Sequence, residues 1–391
     1  MGEWKQCTIA DLGDVVTGKT PSTNNAEFWD GEVHFVTPKD IQGLKHITDT
    51  ERRITDAGLQ KVKGSALLPR AVCVSCIGNI GYTGMTTQKC VTNQQINSII
   101  VNSDNDPDFV YYLMRNLWPF FKNYEGQSTT LSILNKTQFS KISVSVPDKV
   151  TQKRIAEVLS ALDEKIAANA RINDNLQQQA QALYRSWFID YTPFGGTVPS
   201  DWCRGKLKDI LQLQKRAIKA GAAPELPYLP IDTIPMKTFA VSDFRPNEEA
   251  QSSLIQFSKD DILIGAMRVY FHRVIIAPCD GITRTTCFVL KPTNHAYLSF
   301  GLLTCDLDSS IDHAQNTSKG STMPYAVWDG GMGEIEIAIP PLEVAKEFNE
   351  LVLPMLRQIQ NSYFEVKALR ELRDSLLPRL MSGNLDVSEC F

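Results

Sequence analysis

Residues 151–188 read TQKRIAEVLSALDEKIAANARINDNLQQQAQALYRSWF, and the spacing of their apolar residues decides the fold. Ile155, Leu159, Leu162, Ile166, Leu176, Ala180, Leu183 and Trp187 follow a 4,3,4,3 rhythm, interrupted by two polar residues, Asn169 and Asn173. Such spacing lines one side of a helix and makes a coiled-coil seam. Adding 193 to each number gives Phe348, Val352, Met355, Ile359, Ser362, Val366, Leu369, Arg373, Leu376 and Leu380, most of them again apolar. The same seam is written twice, with Ser362 at the position that answers Asn169. A polar residue in a seam penalises slipped alignments, so Asn169, Asn173 and Ser362 are expected to set register.

Both copies begin alike. Val144-Ser-Val146 alternates as a short strand and stops at Pro147; Ile335-Glu-Ile337-Ala-Ile339 does the same before Pro340-Pro341. Proline suits a helix's first turn, where its missing N–H costs nothing. Roughly 36 helical residues reach about 54 Å, and such a rod cannot bury its seam alone. The two rods are therefore expected to pair antiparallel, which leaves function to the segments between them. Pro354 should kink the second rod, which should end near Leu377-Pro378.

Those segments also repeat. Trp202 answers Trp4, Leu229-Pro230 answers Thr37-Pro38, and Gly320-Ser321-Thr322 answers Gln127-Ser128-Thr129, with few identities between these anchors. Short alternating runs such as Val33–Val36 and Ala71–Ile77, separated by Gly, Pro and Asn, read as strands. One helix is expected from about Asp108 to Lys122, and Tyr191-Thr-Pro-Phe-Gly-Gly-Thr-Val-Pro199 reads as a linker. The fold class is thus α/β in the mixed α+β sense: two strand-rich domains in pseudo-two-fold repeat, separated by two long helices forming an antiparallel coiled coil. The expected divisions are 1–150, a first strand-rich domain; 151–190, the first helix; 191–340, a second strand-rich domain; 341–380, the second helix; and 381–391, a tail. Expected pairing residues are Ile155, Leu159, Leu162, Ile166, Asn169, Leu176, Leu183, Val352, Met355, Ile359, Ser362, Val366, Leu369 and Leu376.

A chain of 391 residues that is 43% hydrophobic can hold two real cores. No apolar run approaches the roughly 18 residues of a membrane span, and Met1-Gly-Glu-Trp-Lys5 lacks a signal peptide's apolar stretch, so a cytoplasmic protein is expected. Nine scattered cysteines fit a reducing compartment. The formal net charge of −4 speaks against nucleic acid, but its distribution does not. Residues 57–103 carry Lys61, Lys63, Arg70 and Lys89 with no carboxylate, and residues 262–305 carry Arg268, Arg273, Arg284 and Lys291 against Asp280 alone. A bipolar molecule can be acidic overall and still show phosphates a basic face.

Three motifs point elsewhere. Gly13-Asp-Val-Val-Thr-Gly18-Lys19-Thr20 fits the phosphate-loop pattern, but Pro21-Ser-Thr-Asn-Asn25 favours a turn where a helix should follow, so a glycine-containing surface loop is expected. Cys73-Val-Ser-Cys76 lacks a second pair at zinc-finger spacing, and in a strand the two side chains fall on opposite faces; buried free thiols are expected, and no metal. Five scattered histidines nominate no base for a cysteine nucleophile, so no catalytic residue is named.

The order of domain, long helix, domain, long helix, the segment Trp187-Phe-Ile-Asp-Tyr-Thr-Pro193 and the ending Leu376-Leu-Pro-Arg-Leu-Met-Ser-Gly383 resemble the specificity subunits of type I restriction-modification enzymes. The resemblance covers the whole chain. It implies a non-catalytic, sequence-specific DNA-recognition subunit, each domain reading half of a split site while the helices act as a ruler and bind two methyltransferase subunits. It implies no cofactor in this chain; S-adenosylmethionine belongs to those partners, which methylate adenine. In complexes that cleave, two motor-nuclease subunits join.

Base edges in the major groove are read by forked donors and acceptors, and phosphates are held by Lys, Arg and hydroxyls. The first domain offers Lys19, Thr20, Lys39, Asn79, Tyr82, Asn93, Gln94, Gln95 and Gln127. The second offers Arg268, Tyr270, His272, Arg273, Arg284, Lys319, Ser321 and Thr322. Alternation along a strand would put Arg268, Tyr270 and His272 on one face, with Val269 and Phe271 inward. Two rival readings remain. A stand-alone DNA methyltransferase would need an Asn/Asp-Pro-Pro-aromatic tetrapeptide, for which Ile339-Pro-Pro-Leu342 is a poor substitute. A structural coiled-coil scaffold with two protein-binding domains would show no sequence-selective DNA affinity.

Overall fold

The computed structural model describes residues 4–41, 45–126 and 132–387. The chain forms two compact units, Met1–Ala167 with Leu369–Phe391, and Ala168–Ala368. Two 40-residue helices, Lys149–Phe188 and Leu342–Met381, contribute residues to both. The first starts where Asp148 caps it, its carboxylate accepting from the Val150 and Thr151 N–H groups and the Thr151 hydroxyl. It stops at Phe188, and Tyr191, in the left-handed conformation at φ 51°, then leads into Thr192-Pro193.

Within each unit the helix segments run antiparallel. In the first unit Ile155 and Leu159 share a core with Leu377, Leu380 and Met381. In the second, Ala180, Tyr184 and Phe188 share one with Phe348, Val352, Leu356 and Ile359. Each fully buried apolar side chain contributes about 1.5–3 kcal/mol relative to exposure. The second half of the first seam departs from the expected residues. Tyr184 and Phe188 are buried, whereas Leu183 and Trp187 are half-buried against the same core. On the other helix Leu356 and Leu377 similarly displace Met355 and Leu376 from the deepest positions. A helix of 3.6 residues per turn drifts by about 20° per heptad against a strict 3.5 repeat, so over several turns the next residue takes the inward place.

The two prolines end nothing. The second helix continues through Pro354 and past Pro378 to Met381, contrary to the expected end near Pro378, and both rings lie on the exposed side. The stop comes at Gly383, φ 71°, where an added Cβ would lie 2.7 Å from Trp4 Nε1. The expected single helix at 108–122 is instead two, Pro107–Asn116 and Trp118–Gly126, because Pro119 has no N–H to offer the preceding turn.

The strand-rich parts share one plan. Lys5–Thr8 pairs antiparallel with Ser143–Val146, and Cys203–Lys206 with Glu336–Ile339. In the first unit Gly13–Thr17, Ile96–Val101, Val72–Ser75 and Thr83–Thr86 lie side by side in that order, with His46–Ile47 at the edge. Leu211–Leu213, Cys287–Pro292, Ile262–Gly265 and Val274–Ile276 take the same order in the second. A second sheet, Arg52–Ile54, Trp29–Val36, Cys90–Thr92 and Ala66–Leu67, completes the first unit; Ala217–Ile218, Leu254–Phe257 and Gly281–Arg284 complete the second. Because Gly13–Thr17 is a paired strand, the phosphate-loop match is not a loop at all over its first half. Cys73 and Cys76 are buried free thiols in different core clusters, as opposite strand faces require, and burial pushes both up to about 12.

The seam's polar positions are inside. Asn169 is buried and donates to Glu365 Oε2 at 2.9 Å; Asn173 and Ser362 are also buried. In the first unit Arg373 donates to Asp163 Oδ1 at 2.6 Å, and Tyr112 Oη to Asp163 Oδ2 at 2.7 Å. The Arg373 and Asp163 side chains are each 11% exposed. Removing one partner of a buried pair strands the other charge. Arg373→Met should cost about 3 kcal/mol in urea unfolding, and Asp163→Leu combined with Arg373→Leu should recover most of that; equal losses would show that a stranded Asp163 charge is not the source of the cost. Ser362 Oγ is buried without a partner among the described residues, so Ser362→Ala should stabilise by about 1 kcal/mol, read as a higher melting temperature.

Candidate nucleic-acid interface

In the first unit, four turns meet beyond the ends of the sheet strands. Gly18 follows Gly13–Thr17 and packs so tightly that an added Cβ would lie 2.1 Å from the Asn93 carbonyl oxygen. That contact sets Lys19 and Thr20 beside residues 93–95, where the Thr20 hydroxyl donates to Gln94 Oε1 at 2.6 Å. Asn93 Nδ2 donates to Gln95 Oε1, and the Gln95 N–H returns a bond to Asn93 Oδ1. The Asn93 N–H reaches the Val36 carbonyl, so the Thr37–Asp40 turn bearing Lys39 joins the group. From the other side the Cys76 N–H binds the Gln95 carbonyl, which adds the turn carrying Asn79.

Lys19, Lys39, Asn79 and Gln94 are exposed; Lys39 faces Glu51 across 3.6 Å. Tyr82 is engaged locally, its ring 5.4 Å from Trp118, with the Lys122 ammonium over both rings. Gln127 lies outside the described residues.

The second unit builds the corresponding place differently. The expected strand through Arg268–Arg273 is a turn: Val269–Phe271 is a 3-10 helix flanked by Arg268 and His272, both left-handed at φ 51° and 52°. Two left-handed residues abolish the alternation, which corrects the expectation that Arg268, Tyr270 and His272 share a face. Arg268 and Tyr270 are exposed, but His272 is turned inward, with Nε2 2.7 Å from Asp306 Oδ1. Arg273 is half-buried, donating to the Ile231 carbonyl and lying over the Phe271 ring.

The Arg268 N–H donates to the Pro324 carbonyl at 2.8 Å, and Lys319 and Tyr325 exchange both backbone bonds. Lys319, Ser321 and Thr322 thereby stand in an exposed loop next to Arg268 and Tyr270, together with exposed Met323 and Tyr325. Arg284 is exposed on the separate Gly281–Arg284 strand.

Two basic residues escaped sequence reasoning. Lys215 and Arg216 follow Leu211–Leu213 as Lys19 and Thr20 follow Gly13–Thr17; the Gln214 N–H binds Val289 O as the Gly18 N–H binds Ile96 O. Both are exposed. The signal that could have found them is the repeat itself, extended to the turn after the first sheet strand.

Electrostatically the two gatherings differ. The first is rich in neutral amides, which can donate and accept in pairs; the second carries guanidinium, ammonium, phenol and hydroxyl groups. Either set suits polar edges and phosphates. Among the described residues, no three His, Cys, Asp or Glu side chains gather in a group able to hold a metal ion.

Residues 1–178 match the type I restriction modification DNA specificity domain. Over nearly its whole length the chain is similar to the type I restriction enzyme MjaIX specificity subunit of Methanocaldococcus jannaschii, 26% identical over 99% of this chain and 94% of that protein. The HindI specificity subunit of Haemophilus influenzae is 30% identical over 45% of this chain and 39% of its own. Among solved structures, the type I restriction-modification S subunit from M. genitalium superposes with a TM-score of 0.69 at 16% identity, covering 97% of this chain and 96% of that one. At that identity the likeness is one of fold.

The His272–Asp306 bond raises the imidazole above its ordinary value of 6.5, although burial opposes the shift. A raised folded value means the pair stabilises fully below about pH 6.5 and loses its contribution as pH rises through the folded value. The difference in melting temperature between wild type and His272→Gln should therefore shrink from pH 6 towards pH 8, read by a thermal melt at each pH; a constant difference would refute this.

Proposed function

Given that this chain belongs to the type I restriction-modification specificity subunits, we propose that it reads a bipartite DNA site, one half through each strand-rich domain. It is the recognition subunit rather than the catalytic one. Under this reading the long helices recruit two methyltransferase subunits, which carry S-adenosylmethionine and modify adenine, with motor-nuclease subunits joining when the complex cleaves.

One observation supports the reading best. A single repeated scaffold presents different side chains at corresponding turns: Lys19 and Thr20 in one unit answer Lys215 and Arg216 in the other, and the Gly78-Asn79 turn answers the turn of Arg268 and Tyr270. Equal frames with unequal reading groups are what two independent half-sites require. The frame explains why the halves come as a pair, and the turns explain why they differ. Phosphate contacts from Lys19, Lys215 and Arg216 would position each domain without specifying sequence.

The experiment is to co-express the chain with a type I methyltransferase subunit and map methylated adenines by direct sequencing of host DNA. A split motif is expected. Deleting one heptad from the first helix, about 10 Å of rise, should shorten the tolerated spacer while leaving both half-sites unchanged. An unchanged spacer would sink the ruler, and absence of any split motif despite a stable complex would favour the protein-binding scaffold.

A further inference from the structure

The turn after the third strand in the side-by-side order of the larger sheet, Val72–Ser75 in one unit and Ile262–Gly265 in the other, is held by the same backbone bonds in both. In the first, the Gly78 N–H donates to the Ser132 carbonyl, the Leu134 N–H to the Cys76 carbonyl, and the Cys76 N–H to the Gln95 carbonyl. In the second, the Arg268 N–H donates to the Pro324 carbonyl, the Ala326 N–H to the Ala266 carbonyl, and the Ala266 N–H to the Thr286 carbonyl. Backbone bridges agree, Ile77 with Ile133 and Met267 with Tyr325. Gly78 and Arg268 are therefore structural counterparts.

Both occupy left-handed backbone, Gly78 at φ 76° and Arg268 at φ 51°, ψ 57°. Glycine takes that conformation at no steric cost, whereas an L side chain there is strained. One copy of the repeat uses the comfortable residue and the other does not. A side chain kept against strain points to a use for it, provided the fold itself does not need it. Here it does not. The Arg268 side chain is exposed and makes no hydrogen bond, ion pair or ring contact among the described residues, whereas Arg273, Arg245 and Arg373 are all engaged.

The backbone beneath Arg268 is nonetheless fixed on both sides by the Pro324 and Thr286 bonds, so the guanidinium projects from a rigid base beside Tyr270, Lys319 and Ser321. A planar fork with paired donors matches the O6 and N7 acceptors of guanine in the major groove, and no other base offers two acceptors there. The first unit, with glycine at this place and Asn79 and Gln94 nearby, carries no such fork. Its amides suit adenine instead.

Resting on the DNA-reading function above, we propose that Arg268 reads a guanine in the half-site recognised by the second domain. It is a specificity residue whose strained backbone places the guanidinium and whose counterpart in the first domain is silent.

The test uses the complex co-expressed with its methyltransferase subunit, with methylated adenines mapped for the wild type, Arg268→Gly and Arg268→Lys. Arg268→Gly installs the residue the first unit uses, so melting should be unchanged or raised. Its motif should become degenerate at one G·C pair of one half-site, the other half and the spacer staying as they were. In binding assays, replacing that guanine by adenine should weaken the wild type by about 5- to 150-fold and the glycine variant hardly at all. Arg268→Lys should keep the salt dependence of binding but lose most of the discrimination.

A glycine variant that retains the full motif overturns the proposal. So does a uniform loss of affinity for every sequence with a salt slope reduced by about one, which would mark a phosphate contact. A wild-type complex that yields no split motif would overturn the DNA-reading function itself and Arg268's role with it, an outcome distinct from a motif that survives in the variant.

Discussion

A forty-residue helix with an apolar stripe along one side cannot bury that stripe by folding on itself, and this chain contains two of them. Within each unit the solution is the same, the segments of the two helices facing one another antiparallel. Apolar matching alone would tolerate slippage by a heptad, because leucine resembles leucine. The polar groups that meet partners there would penalise such slippage: Asn169 with Glu365 in one unit, Arg373 and Tyr112 on Asp163 in the other. A misaligned pair would leave a carboxylate or guanidinium buried and alone, which costs more than the misplaced methyl groups.

The helices were legible in the sequence because neither strands nor loops sustain an apolar period near 3.5 over five turns, and their beginnings because Pro147 and Pro340 stand at the same place in the repeat. Where residues beside the expected ones lie deepest, the reason is geometry that a rigid template ignores. A strict heptad names Leu183 and Trp187, but helical drift brings Tyr184 and Phe188 inward, where Phe188 meets Phe300 and Phe348 at 4.7 Å. Likewise the second helix was expected to end near Pro378, yet it runs on to Met381, with the ring turned outward.

The candidate contact residues were only half visible. Amide-rich Asn93-Gln94-Gln95 lies in a turn, as its composition suggests, and the close approach of Gly18 brings Lys19 and Thr20 to it. The Arg268–Arg273 run was misread because alternation of polar and apolar residues is shared by strands and by tight turns. Only backbone angles separate them, and left-handed arginine and histidine give no sign in a single sequence. Lys215 and Arg216 were missed for the opposite reason: their importance lies in position within the repeat, since nothing in their neighbours is unusual.

The small two-stranded sheets have a further consequence. Lys5–Thr8 is zipped to Ser143–Val146, and Cys203–Lys206 to Glu336–Ile339, so each strand-rich segment leaves the framework beside the point at which it arrived. The pair of strands works as a clasp. Whatever folds between the two halves of the clasp must begin and end there and keep an apolar face for the helices, as Phe300 does for Phe188, but its turns and outer surface are not tied to them. Genetic exchange with breakpoints in these strands would graft a complete foreign segment onto an unchanged frame. Such a molecule can acquire new preferences in single steps, where a binding surface woven through its own scaffold would have to change one side chain at a time.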